Sequence, residues 1–229
     1  MSTETLADER DEFGIPIVPA VANMSQRKRE SIVAAATDEF LTQGYAAASV
    51  DTIAAHARVS KPTIYKHFGN KERLFLAVVA GCLPRTYADL RPLNSHIAEA
   101  PDLRAALIDL GSEWARILLS DDIMRLRRLC IGEVGRFPQL GELWYRVSYD
   151  MNNGPLIEAF AELHRRGDLN VPEPALAVQQ LVAVSIGVPQ LVKTFRPDAE
   201  FDADELTRLI TSGVDTFLAR YAPGPSTAP

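Results

Sequence analysis

Apolar residues recur every three or four positions along most of the chain, and the alternation typical of β-strands is nearly absent. This period predicts an all-α protein of about nine to eleven helices. The two ends lack the period, because residues 1–23 are polar and then proline-bearing, and residues 223–229 have the sequence PGPSTAP. We therefore expect a disordered or mobile N-terminal arm, a disordered C-terminal tail and helices between them.

Three helices are predicted near the N-terminus from periodicity and from the residues at their ends. The first covers residues 26–43 and stops at Gly44. Ser49 is a good N-cap for a short second helix, and Ser60 is a good N-cap for a short third helix. Two short helices joined by a tight turn form a helix-turn-helix, here over residues 49–68.

The third helix, residues 61–68, separates apolar from polar side chains. Ile64 and Phe68 lie four positions apart and can both point into a core. The opposite face carries Thr63, Lys66 and His67. A helix with such a polar, cationic face fits the major groove of B-DNA. A solvated surface helix in any helical protein shows the same pattern, so periodicity alone leaves both interpretations open.

Charge is distributed unevenly along the chain, whose formal net charge is −6. Residues 24–83 carry eight Lys or Arg against five Asp or Glu, whereas the segments before and after them are acidic. The overall negative charge opposes indiscriminate binding of nucleic acid, while the local positive segment permits a focused contact.

Residues 26–86 resemble the DNA-binding domain of TetR-family transcriptional regulators, which places that domain at residues 24–83. The positions that carry the resemblance are Ala36 through Gly44-Tyr45, Ser49-Val50, Ile53-Ala54, Ala57, Val59-Ser60, Tyr65, His67-Phe68 and Lys71-Glu72. The resemblance implies a sequence-specific, homodimeric regulator that binds an inverted-repeat operator in double-stranded DNA and responds to a small-molecule effector, with repression the expected sign. The predicted DNA-binding residues are Ser49, Lys61, Pro62, Thr63, Tyr65, Lys66, His67 and Lys71, of which Thr63 and Lys66 are expected nearest the bases.

Two positions depart from the family pattern. Arg58 stands at the turn where relatives usually have Gly, so either the turn holds this Arg in a left-handed conformation or it has a different shape. Pro62 stands where relatives often have Gly, and it stiffens the start of the third helix while removing one backbone donor. Both departures affect the expected base preference rather than the fold.

Residues 84–222 are predicted to form a larger helical domain for ligand binding and dimerisation. A new helix is expected beyond Pro84, and the predicted helices lie near 85–98, 103–119, 122–135, 139–152, 155–166, 173–195 and 203–221, with breaks at Pro101, Pro138, Gly154-Pro155, Gly167 and Pro172 to Pro174. Within it, residues 125–145 and 164–171 resemble the C-terminal domain of AefR-like regulators. The last two helices, 173–195 and 203–221, carry wide apolar stripes that favour a dimer interface, although packing within one subunit would produce the same stripes. The predicted interface residues are Leu181, Val188, Leu206, Ile210, Val214 and Phe217.

Large aromatic and methionine side chains in the middle helices suit an apolar, adaptable effector pocket, and they are equally typical of a core. The candidate pocket residues are Trp114, Leu118, Met124, Trp144, Tyr145, Tyr149 and Phe160. The expected effector is a small apolar or amphipathic molecule, and the sequence leaves its identity open.

Sequence signals for other classes of protein are absent. The chain has no phosphate-binding Gly-rich loop, clustered metal-ligand motif or nucleophile elbow, so we expect no enzyme, metal or cofactor. It has neither a signal-peptide pattern nor a run of eighteen apolar residues, which favours a cytoplasmic protein without a membrane partner. Cys82 and Cys130 are expected to be buried free thiols. The alternative function is a helical small-molecule-binding protein or enzyme whose helix-turn-helix is non-functional.

Overall fold

The computed structural model describes residues 26–88, 90, 94 and 96–223, and these residues form helices and turns without any β-strand among them. The all-α fold class predicted from the period of apolar residues is therefore confirmed. The predicted N-terminal arm, residues 1–23, and the predicted tail beyond its first residue, Pro223, lie outside the described residues.

The helices follow one another in chain order, and we number them here. The first four are α1 (Gln26–Ala47), α2 (Val50–His56), α3 (Lys61–Phe68) and α4 (Lys71–Tyr87). A 3-10 turn (Ile97–Glu99) precedes α5 (Leu103–Leu118), α6 (Asp121–Glu133) and α7 (Gln139–Tyr145). The remaining elements are a π-helical segment (Arg146–Met151), α8 (Asn152–Arg166), α9 (Pro174–Phe195) and α10 (Ala203–Tyr221).

Two glycines interrupt helices where the sequence predicted it. The backbone leaves helical geometry at Gly44, with φ 72° and ψ 172°, and helical residues continue after it only to Ala47. Gly167 ends α8 in the left-handed conformation, with φ 81°. Glycine tolerates a positive φ because it has no Cβ.

Two predicted helix breaks do not occur. α4 continues through Pro84 to Tyr87, and the predicted break at Gly154-Pro155 falls inside α8. The segment before α8, Arg146–Met151, is π-helical. The separate helix predicted over residues 85–98 falls partly on undescribed positions, and its described end is the 3-10 turn.

The chain packs as two compact units, and the first comprises residues up to Arg85 together with Arg125–Tyr145. Its most buried large side chains include Ile32, Phe40, Ile53, Ile64, Phe68 and Phe75, each at most 1% exposed. Phe137 anchors the later segment, because its ring centroid lies 4.8 Å from that of Tyr45 and 5.3 Å from that of Phe75. The segment 125–145, which the sequence boundary assigns to the C-terminal domain, thus packs on α1 and α4 in the unit that contains the helix-turn-helix.

The second unit comprises Thr86–Met124 and the chain from Arg146 onward. α9 and α10 approach closely at Gly213, where an added Cβ would lie 2.6 Å from the carbonyl oxygen of Val184. α5 and α10 meet where Ile210 packs on Gly111, and an exposed ion pair joins the same helices, with Arg104 Nε 2.7 Å from Asp215 Oδ1. The missing side chains at the two glycines therefore set how closely these helices pack.

α9 is long and apolar enough to cross a membrane by length and composition, with a mean hydropathy of 1.6 over its most apolar window. Core helices of soluble proteins meet the same criterion, and α9 packs on α10 through Gly213. The finding is therefore weak evidence for a membrane contact.

The two cysteines lie in the first unit, and neither forms a disulfide. Cys130 is buried and Cys82 is half-buried. Burial, with a smaller contribution from the neighbouring Cys82, raises the pKa of the Cys130 thiol to about 12, so this thiol stays protonated at neutral pH.

Candidate nucleic-acid interface

Hydroxyl side chains cap both helices of the helix-turn-helix, as predicted. Ser49 Oγ accepts from the Thr52 amide at 3.3 Å, and Ser60 Oγ accepts from the Thr63 amide at 3.3 Å. The Ser49 amide also donates to Glu39 Oε1 at 2.8 Å, which ties the start of α2 to α1. These short-range bonds satisfy amides that have no partner inside a helix, so the local sequence defines where α2 and α3 begin.

The turn between α2 and α3 holds Arg58 at φ 55°. Of the two alternatives for this position, the left-handed conformation is thus the one adopted. The turn is closed by backbone bonds from the Val59 amide to the Ala54 carbonyl at 3.0 Å and from the Arg58 amide to the Ala55 carbonyl at 3.2 Å. A residue with a Cβ in this conformation costs roughly 1 kcal/mol relative to Gly.

The outward face of α3 is polar, and its inward face is apolar. Ile64 and Phe68 are buried, as their spacing predicts, while Pro62, Tyr65 and Lys66 are exposed. Lys66 forms no ion pair with any residue that the structure describes. Its ammonium group can therefore reach a base edge or a phosphate without first leaving a partner in the protein.

Lys61, at the first position of α3, already has a partner. Its Nζ donates to Asp51 Oδ2 at 2.9 Å, and both side chains are largely exposed. This hydrogen bond, together with the charge of Asp51, raises the pKa of Lys61. A phosphate that binds Lys61 must therefore compete with Asp51.

His67 is placed inward, not on the outward face that its spacing predicts. It is 7% exposed, and its Nδ1 has no hydrogen-bond partner among the described residues. Burial, with Lys66 and Arg29 nearby, lowers the pKa of His67, so the imidazole is neutral at neutral pH. The buried imidazole packs in the first unit, and the DNA contact of His67 stays a prediction.

Lys71 lies at the first position of α4, half-buried beside Tyr45. Its Nζ donates to the Ala46 carbonyl at 3.1 Å and lies 4.9 Å from the centroid of the Tyr45 ring. Burial, followed by the positive charge of Arg136, lowers the pKa of Lys71, while Glu133 and Glu39 oppose the shift. The ammonium group is thus held in place by the Ala46 carbonyl at the end of α1 and by the Tyr45 ring.

The predicted pocket residues do not gather in one packing unit. Trp144 and Tyr145 belong to the first unit, and the other five belong to the second. The buried members are Trp114, Leu118, Met124 and Phe160, the exposed ones are Tyr145 and Tyr149, and Trp144 is half-buried. The effector pocket stays a prediction, and we draw its residues from the second unit only.

A buried polar cluster in the second unit has no counterpart in the sequence-based prediction. The Asn94 side-chain amide donates to the Asn152 carbonyl at 2.7 Å, and the Trp114 indole donates to Asn94 Oδ1 at 3.3 Å. Asn152 Oδ1 has no hydrogen-bond partner among the described residues. Asparagines inside helical segments carry no sequence signal of burial, which explains the omission.

Most of the predicted dimer residues pack inside the subunit. Leu181, Ile210, Val214 and Phe217 are at most 3% exposed, and Leu206 is half-buried. Val188 is 64% exposed, and it lies on a stripe of exposed apolar residues along α9 that comprises Leu176, Val184, Val188, Leu191 and Phe195. The buried residues were predicted at the interface because periodicity cannot show which apolar face of α9 or α10 the subunit itself covers.

Comparison with known proteins agrees with this architecture. Residues 32–78 match the family model for bacterial regulatory proteins of the tetR family, and residues 105–223 match the model for the C-terminal domain of AefR-like transcriptional repressors. The second match alone spans more than half of the chain. The chain belongs to the TetR family of transcriptional regulators, and the family is one of DNA-binding regulators, not of enzymes.

Individual relatives support the same class. The HTH-type transcriptional activator FasR of Mycolicibacterium smegmatis is 33% identical over 102 residues, which cover 42% of this chain and 47% of that protein. An HTH-type transcriptional repressor of Mycobacterium tuberculosis is 34% identical over 127 residues, covering 54% and 62% respectively. The chain thus spans about half the length of the curated relatives it matches.

A solved structure matches over a longer range. A TetR-family transcriptional regulator from Mesorhizobium loti superposes with a TM-score of 0.80 at 30% identity, covering 87% of this chain and 100% of that chain. The helical second unit is therefore part of the likeness, together with the helix-turn-helix.

Proposed function

We propose that the protein is a cytoplasmic, homodimeric repressor that binds an inverted-repeat operator in double-stranded DNA and is released by a small apolar or amphipathic effector. The observation that carries the proposal is α3, a capped helix with buried Ile64 and Phe68 and an outward face of Tyr65 and unpaired Lys66 among the described residues. Each subunit would place α3 in a major groove, with half-sites about 34–36 Å apart or a multiple of that distance.

The exposed stripe of α9 supports a dimer. Val184, Val188, Leu191 and Phe195 follow one another at spacings of four, three and four, so they share one helix face. A soluble chain rarely leaves so many large apolar side chains of one helix in water unless a partner covers them. A second copy is the partner that half-site recognition requires, because a two-fold operator is matched by a two-fold protein.

The buried polar cluster of the second unit supports an amphipathic effector. Asn152 Oδ1 accepts no hydrogen bond within the described residues, and it lies at the end of a π-helical segment, a feature frequent at functional sites. An apolar molecule with a hydroxyl or amide donor would satisfy this oxygen. To release DNA, the effector must bind the two states of the dimer with different affinity, and a coupling of roughly 1–3 kcal/mol is typical.

Fluorescence anisotropy on DNA from upstream of the gene, against a shuffled duplex and across a salt series, tests the DNA-binding part. We expect tight binding to one sequence with a steep salt dependence. Lys66→Ala should remove about 1–3 kcal/mol of discrimination at one base pair, because a base contact is lost. Tyr65→Phe should weaken binding to both duplexes equally, because a phosphate contact carries no sequence information.

Equal and weak binding to both duplexes would call for selection from random DNA, and failure there would contradict the proposal. If Lys66→Ala leaves the base preference unchanged, we would infer that another residue of α3 recognises the bases. The sign of regulation needs its own measurement, since the matched relatives include an activator and a repressor. In-vitro transcription from the bound promoter should decrease when the protein is added, and an increase would make the protein an activator.

A further inference from the structure

Arg136 lies in the turn after α6, in the segment 125–145 that belongs to the same unit as the helix-turn-helix. Its backbone amide donates to the Glu133 carbonyl at 3.0 Å, and the next residue, Phe137, is 2% exposed. The buried Phe137 ring therefore fixes the position of Arg136 on the surface of the first unit.

The Arg136 guanidinium stacks on aromatic rings and keeps its hydrogen-bond donors in solvent. Its Cζ lies 4.6 Å from the centroid of the Tyr45 ring and 5.4 Å from that of Phe137. It forms no ion pair with any residue in the described part of the chain. A guanidinium that is held by stacking, and whose N–H groups form no ion pair within the described residues, suits bidentate binding of a phosphate.

Lys71 shares the Tyr45 ring with Arg136. The Lys71 Nζ lies 4.9 Å from the same ring centroid, and the charge of Arg136 helps to lower the pKa of Lys71. Glu133 and Glu72 also lie within electrostatic reach of Tyr45, but among the described residues neither forms an ion pair with Arg136 or Lys71. Two like charges held against the same ring repel each other, and an anion near both relieves the repulsion.

The charge of the first unit points to the same kind of partner. Residues 26–85 carry nine Lys or Arg against five Asp or Glu, and residues 125–145 add four Arg against two Glu. The rest of the chain is acidic. The segment 125–145 thus adds positive charge to the unit that contains α3.

We propose that Arg136 is a DNA-phosphate contact supplied from outside the helix-turn-helix, and that Arg136 and Lys71 together bind the operator backbone. The inference rests on the proposed DNA-binding function and extends it, because the DNA-binding surface then includes a segment that lies after α5 in the chain. The partner chemistry is a phosphodiester backbone, so Arg136 contributes affinity and register but no base preference.

The test uses the full-length protein and a duplex that the wild type binds selectively, with anisotropy measured from about 50 to 200 mM salt. Arg136→Gln and Arg136→Met both remove the charge, and Arg136→Met keeps the apolar stem that covers the rings. Arg136→Lys keeps the charge. Arg116→Gln is the matched control, because Arg116 is an exposed arginine of the second unit that pairs with Glu113.

We expect Arg136→Gln and Arg136→Met to lower the slope of log K against log salt by about 0.9 and to weaken selected and shuffled duplexes by the same factor. Arg136→Lys should retain most of the slope, and Arg116→Gln should match the wild type. If Arg136→Gln proves poorly folded by circular dichroism, Arg136→Met and Arg136→Lys still separate charge from packing.

Two other outcomes have distinct meanings. If the wild type binds selectively and both uncharged variants keep its full salt slope, Arg136 is no phosphate contact while the proposed function stands. If the wild type itself shows no selective, salt-dependent binding to any selected duplex, the proposed function fails, and this inference fails with it.

Discussion

The three lysines of α3 and the start of α4 differ in the protein contacts that they already make. Lys61 is paired with Asp51, Lys71 is held on Tyr45, and Lys66 is unpaired among the described residues. A spacing argument treats the three lysines alike, because it assigns them to a face without showing their neighbours. The structure separates them by what each must give up in order to bind DNA.

Removing the partner of Lys61 should strengthen DNA binding. In Asp51→Asn the Lys61 ammonium loses its carboxylate partner, and one negative charge leaves the first turn of α2. We expect tighter binding to all duplexes and a salt slope steeper by up to about 0.9, the value for one added phosphate contact. Asp38→Asn, an exposed carboxylate of α1, is the control for the change in net charge. An equal gain in both variants would show that Lys61 gains no contact of its own.

Relief of backbone strain at Arg58 should stabilise the first unit. Arg58→Gly removes the cost of a left-handed residue with a Cβ, and it adds some entropy to the unfolded chain. We expect a net gain of about 0.5–1 kcal/mol in the free energy of unfolding, measured by denaturant titration. Arg58→Ala keeps the strain, so it should give no gain. If Arg58→Ala stabilises as much as Arg58→Gly, the gain in stability comes from losing the Arg side chain and not from relief of backbone strain.

Helix elements of this chain begin and end at residues that the sequence makes visible. Ser49 and Ser60 cap α2 and α3, and Gly167 ends α8. Each signal acts within a few residues, which explains why these ends could be predicted. The predicted breaks at Pro84 and at Gly154-Pro155 were wrong, because proline removes one donor but does not prevent a helix whose surroundings stabilise it.

The close approach of α9 and α10 depends on one glycine. An alanine at position 213 would place its Cβ 2.6 Å from the backbone carbonyl oxygen of Val184, and backbone cannot move aside as a flexible side chain can. We expect Gly213→Ala to lower the free energy of unfolding by about 1–3 kcal/mol. Gly81→Ala is the control, because no atom lies within 4 Å of its added Cβ, and it should be neutral or stabilising. Equal tolerance of both changes would contradict the close contact.

At the scale of the whole molecule, the proposed dimer depends on the exposed stripe of α9. Val188→Asp and Phe195→Asp each place a charge on this stripe, whose residues at these positions are 64% and 78% exposed. We expect light scattering to show monomers at micromolar concentration, with the helical circular-dichroism signal retained, because a charge buried in an interface without a partner is costly.

Ile131→Asp is the control for this measurement, because Ile131 is also an exposed apolar residue and lies on α6. It should leave the dimer intact. A wild-type protein that is monomeric at micromolar concentration would contradict the homodimer directly. Dimers that persist in both α9 variants would place the interface on another surface.

The sequence by itself determined the fold class, the position of the helix-turn-helix and the class of protein. The fold class and the helix-turn-helix depend on local quantities: the period of apolar residues, the caps at Ser49 and Ser60, and the spacing of Ile64 and Phe68. The class of protein depends on the resemblance of residues 26–86 to TetR-family regulators. The tertiary structure decided which side chains are available. It buries His67, it covers Leu181 and Phe217 within the subunit, and it brings Arg136 to Lys71 across sixty-odd residues of chain. Whether a side chain is exposed to a partner depends on which elements pack on one another. A period along the chain carries no information about contacts between distant segments.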